Sequence, residues 1–113
     1  MKCSIFLLLF ALINCSDSYE TKTIIKLTQE QRDVKIVNEG PNDVRYFLFE
    51  SGFAATVNID TSCDNFKPNI KSGTSISIAF EDIAGYDDDA ESFWFSWTDC
   101  KISGNTQTIK FDQ

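Results

Sequence analysis

Apolar side chains recur at every second position along most of this chain, and that alternation limits what it can fold into. From Thr74 to Phe80, Ile76, Ile78 and Phe80 alternate with Ser75, Ser77 and Ala79. A strand turns successive side chains to opposite faces, so this pattern buries one face and wets the other. Similar segments predict strands over 21–27, 33–38, 44–50, 54–60, 74–80, 92–98 and 106–111, rich in the β-branched and aromatic residues that a pleated surface accepts. Val44-Arg45-Tyr46-Phe47-Leu48-Phe49 is apolar on both faces after Arg45, which predicts a central strand. No apolar repeat of helical period is sustained after residue 20, and Thr28–Arg32 has room for a single helical turn at most.

Turn chemistry separates these segments. Glu39-Gly40-Pro41-Asn42-Asp43, Lys71-Ser72-Gly73 and Ser103-Gly104-Asn105 are turn clusters, and Ser51-Gly52 suits a tight hairpin with Gly52 at positive φ. Seven short strands at such spacing predict an all-β fold, a small antiparallel β-sandwich. Its core should draw on Ile25, Ile36, Tyr46, Leu48, Val57, Ile59, Ile76, Ile78, Phe93, Phe95 and Ile109.

Residues 1–18 read as an export signal. Lys2 is the basic start, Ile5–Ile13 is an apolar run of the right length, and Ser16-Asp17-Ser18 predicts cleavage before Tyr19. The run is shorter than the roughly 20 residues that cross a bilayer. Lipidation of Cys15 is the competing reading, although Asn14 stands where that signal takes a small residue. Residues 19–113 then form a single domain with no second apolar stretch to act as an anchor.

Two cysteines, Cys63 and Cys100, remain in that domain. In an oxidising compartment such a pair predicts one disulfide, with two free thiols as the alternative. The net charge of −7 argues against nucleic acid and anionic membranes as partners. The chain contains no histidine, which removes imidazole-activated nucleophiles and most zinc sites. The expectation is therefore a protein without enzymatic activity.

Residues 34–46, from Val34 through the Asn38–Asp43 turn to Tyr46, resemble the opening strands of immunoglobulin-like sandwiches of the major sperm protein type. Pro68–Phe80 is similar in outline to a later segment of that class, and the likeness spans residues 33–80. It implies an immunoglobulin-like fold and no particular binding residue. Export and a disulfide depart from that largely intracellular class.

Two stretches are candidates for function. Glu81–Glu91 holds six carboxylates and no base, and Asp87, Asp88, Asp89 and Glu91 are candidate ligands for calcium, which takes oxygen donors from flexible loops. The spacing is not that of an EF-hand, and a solvated loop is the simpler reading. Phe93-Trp94-Phe95-Ser96-Trp97 follows. With Phe93 and Phe95 filling the core, Trp94, Trp97 and Tyr86 are candidate platforms for a partner's apolar side chain or a sugar ring. These features predict a secreted binding module for an extracellular protein. A calcium-assisted carbohydrate-binding module is the alternative, and a protease inhibitor a lesser one.

Overall fold

A computed structural model describes residues 23–112. The expected export signal, its cleavage site and Cys15 lie outside the described residues. Six strands form two antiparallel three-stranded sheets. The first contains β1 (Ile25–Glu30), β2 (Asp33–Asn38) and β4 (Ser75–Ala79) in the order β1-β2-β4. The second contains β3 (Arg45–Glu50), β5 (Ser92–Thr98) and β6 (Gly104–Lys110) in the order β3-β5-β6.

The alternation works as the sequence predicts in β2, where Val34, Ile36 and Asn38 are buried and their neighbours half-exposed. Ile36 pairs with Leu27 on one side and Ile76 on the other, so three apolar side chains share one rung. In the second sheet Leu48 pairs with Phe95, and Phe93 with Ile109. Both sheets turn these side chains into one core, joined by Val44, Ile70, Phe80, Ile83 and Phe111 from the connections. Phe93 and Phe95 are completely enclosed, and burying a side chain of that size contributes roughly 1.5–3 kcal/mol. The Phe111 ring meets Phe80 and Phe93 at 4.9 and 5.1 Å, which closes the core at the chain's C-terminal end.

Several expectations are corrected. The segment 54–60 is no strand: the chain turns into a short helix, α1 (Ser51–Ala54), and then runs irregularly. The Glu50 carboxylate accepts the Phe53 N–H at 2.8 Å and caps that turn, so helix replaces hairpin at Ser51-Gly52. Gly52 accordingly has no positive φ. Val57 and Ile59 leave the core, and six strands stand where seven were expected. Strand β3 lies at an edge rather than at the centre. Gln29 and Glu30 belong to β1, and Gln31 and Arg32, at φ 51° and 71°, make a two-residue hairpin in place of the single helical turn for which Thr28–Arg32 has room.

A polar network closes one end of the molecule. Asp99 is 1% exposed, and its Oδ1 accepts the backbone N–H groups of Lys101, Ile102 and Ser103 at 2.8–3.1 Å. Its Oδ2 accepts from the Thr23 hydroxyl and the Asn42 amide. Buried Asn38 organises the adjacent turn, accepting from the Gly40 N–H and donating to the Asn42 carbonyl. Only glycine fits at position 40, because a Cβ there would stand 2.3 Å from the Thr23 Cα.

Candidate functional site

The second sheet carries aromatic side chains on its outer as well as its inner face. Register places Arg45, Phe47 and Phe49 of β3 beside Thr98, Ser96 and Trp94 of β5. These side chains point away from the core, because their neighbours Leu48, Phe93 and Phe95 point into it. Trp94 lies nearly parallel to Phe49, with ring centroids 6.5 Å apart and an 11° interplanar angle. Phe47 and Phe53 flank Phe49 at 6.5 and 5.5 Å. The Arg45 guanidinium sits 4.8 Å from the Phe47 ring centroid, a cation–π arrangement. All five side chains are half-buried.

The irregular chain after α1 folds back toward this face. A cleft of about 500 Å³ opens between Arg45, Phe47 and Thr98 of the sheet and residues 60–67 of the connection. Arg45 donates to the Lys67 carbonyl at 3.2 Å and so spans the cleft floor to its wall. Asp60 accepts the Ser62 N–H at 3.0 Å, and bonds from the Ser62 backbone and side chain hold its carboxyl below the usual range. The Cys63–Cys100 disulfide fastens this wall to the segment after β5. On the opposite flank Gly85, at φ +90°, lets the 83–86 segment lie against α1, since a Cβ there would meet the Phe53 Cβ at 2.3 Å.

The cleft thus sets the Phe47 and Phe66 rings among polar side chains, with one guanidinium, the carboxylates of Asp60 and Asp64, and Lys67 at its rim. Such a surface offers half-buried ring faces for stacking and charged groups for hydrogen bonds.

The candidate residues named from sequence occupy different surfaces. Trp94 is part of the outer aromatic face. Trp97 pairs with Tyr46 and packs on the inner side against the core. Tyr86 packs against Phe80 and Phe111 at 5.9 and 5.1 Å, and its hydroxyl accepts from Arg32 at 2.8 Å. Asp87, Asp88, Asp89 and Glu91 are exposed, and Asp87 Oδ1 accepts the Asp89 N–H in a local turn. Among the described residues, no three His, Cys, Asp or Glu side chains are placed to hold a metal ion together.

Sequence alone does not mark Arg45, Phe47, Phe49, Phe53 and the 60–67 wall as a site. The two-sided apolar character of Val44–Phe49 is the one signal, and it suits a central strand as well as an edge strand with an aromatic outer face.

By its fold this is an antiparallel all-β protein of two three-stranded sheets with one disulfide. No protein-family model matches the chain, and no curated protein and no solved structure is similar to it.

Proposed function

We propose that this is a secreted, non-enzymatic binding module that engages an extracellular protein partner through the outer face of β3 and β5. The Phe47–Phe49–Trp94 row beside the Arg45 cleft carries the proposal. Rigid aromatic side chains and arginine dominate binding energy at protein interfaces, because they bury large areas at little ordering cost. The disulfide supports placement outside the cell, where such bonds persist. The reading keeps the immunoglobulin-like class, supported by the passage of the chain from β2 in one sheet to β3 in the other.

The test immobilises oxidised wild-type protein, Phe47→Ala and Trp94→Ala, and exposes each to extracellular fluid of the source organism and to a glycan array with and without chelator. The expected result is one protein retained by wild type. Its affinity should fall about tenfold or more in each variant, a change of roughly 1.4 kcal/mol or more. Near-UV circular dichroism should show the fold retained. Capture that survives both substitutions, or glycan binding abolished by chelator, overturns the proposal.

A further inference from the structure

Strand β6 ends the second sheet, and among the described residues no backbone partner lies along its outer edge over residues 104–108. Gly104 through Thr108 are exposed at every position, between a tie of the Thr23 N–H to the Ser103 hydroxyl at one end and the Gln29 carboxamide of β1 at the other. The direction of its backbone groups follows from its flanks. The Asp99 N–H donates to the Ser103 carbonyl and the Phe111 N–H to the Glu91 carbonyl, so odd-numbered residues face β5. Even-numbered residues therefore face outward. The Gln29 carboxamide agrees, since it donates to the Lys110 carbonyl at 2.9 Å and accepts the Asp112 N–H at 2.7 Å from that outer side. Gln29 closes the C-terminal part of the edge. The N–H and C=O groups of Gly104, Thr106 and Thr108 continue the same row toward solvent.

The other edge of this sheet is guarded differently. Just before β3 Val44 is bridged to Ile70, and within it Tyr46 exchanges two hydrogen bonds with the Asn69 side chain and Glu50 donates to the Ala84 carbonyl. Exposed strand edges are usually protected by charge, proline or a bulge. Residues 104–109 contain no charged side chain and no proline, and the β5–β6 register runs unbroken from Ser92–Lys110 to Thr98–Gly104.

We infer that this edge pairs antiparallel with the same edge of a second copy of the chain, about a two-fold axis at Thr106. In that register Gly104, Thr106 and Thr108 face Thr108, Thr106 and Gly104 of the second copy, so every outward group of the bare segment gains a partner. The side chains suit the arrangement: threonine meets threonine at the axis, and Asn105 meets Gln107 of the second copy, both favourable cross-strand pairs. Charge selects the same place. Copies carrying −7 each repel over most of their surface, and this neutral strand lets them approach. The pairing joins two sheets into one of six strands and turns both aromatic outer faces to the same side.

One strand pair buries less than the about 1,000 Å² of a durable interface, so the dimer is weak, half-associated at roughly tens to hundreds of micromolar. The test combines sedimentation of the oxidised protein across that range with amide hydrogen exchange. Wild type should dimerise with concentration, and the Thr106 and Thr108 amides should gain protection in step with it. Thr108→Pro removes an outward N–H and no β5–β6 bond, and should abolish dimerisation with melting little changed. Thr108→Val keeps the N–H and should keep the dimer. A monomer throughout the range overturns the inference, as does a dimer unaffected by Thr108→Pro, or protection of the 106 and 108 amides that requires a different protein.

Discussion

Asp99 shows how much one carboxylate can organise. Burial alone would raise its pKa, yet the backbone donors of Ser103 and Lys101, with Thr23 and Asn42, outweigh that and bring it from 3.8 to about 2. The folded value lies below the unfolded one, so its stabilising effect is fully present above about pH 4 and is lost as pH falls from about 4 through about 2. By linkage the carboxylate contributes about 2–3 kcal/mol at neutral pH. Asp99→Asn keeps the shape but turns one acceptor oxygen into a donor facing other donors. Urea unfolding at pH 7 should show the variant less stable by about 2 kcal/mol or more, and the gap should narrow toward pH 2. A gap independent of pH would mean that the charge contributes nothing. Nothing in the spacing of Asp99 within Thr98-Asp99-Cys100 marks it as a hub, because its five donors come from three separated segments. Asn38 differs, because the Gly40 N–H and the Asn42 carbonyl that it holds belong to its own turn.

At the scale of elements, legibility followed the locality of the cause. Strands β2, β3, β4 and β5 could be read because period-two patterning is a property of the segment itself, and their bounds shift by no more than a residue or so. In β5 the alternation sets Phe93, Phe95 and Trp97 on the core face and Trp94 on the other, so of the two indoles named as platforms only Trp94 lies on the outer face. The segment 54–60 alternates too, yet the Glu50 cap starts a helical turn and the disulfide holds Cys63 beyond it. Neither constraint is visible in the alternation of Val57 and Ile59. The order of strands within each sheet likewise depends on how connections cross the core, so the edge position of β3, and with it the aromatic outer face, was not readable. The disulfide gives this scale its prediction. It links residues 37 positions apart, and the chain-entropy account assigns such a loop about 4 kcal/mol. Reduction, or Cys63→Ser with Cys100→Ser, should lower the melting temperature by well over 10 °C for a domain of this size. The amides of residues 60–67 should lose protection first, since the wall is then free of β5. An unchanged melting temperature would deny the bond any hold on the fold.

Across the whole molecule the excess of acid is uneven. Six of the 17 carboxylates stand between Glu81 and Glu91, beyond the end of β4, and all six are exposed. The basic group that approaches them is Arg32, whose guanidinium lies 3.7 Å from Glu81 and within 6 Å of the Phe80 and Tyr86 rings. A single exposed pair of this kind contributes little, so mutual repulsion should dominate at low ionic strength. Raising sodium chloride from about 10 to about 150 mM shortens the screening length from about 30 to about 8 Å, and the melting temperature should rise by a few degrees. The same measurement separates a solvated loop from a cation site. Dispersed carboxylates respond to ionic strength alone, so calcium and magnesium at matched ionic strength should shift melting equally. A calcium site filled at ten times its dissociation constant would add about 1.4 kcal/mol, or roughly 6–11 °C for a domain of this size, beyond anything magnesium produces. A calcium-specific rise of that size, removed by Asp87→Asn, would make the 81–91 loop a metal site and move the functional reading from a protein partner to a carbohydrate.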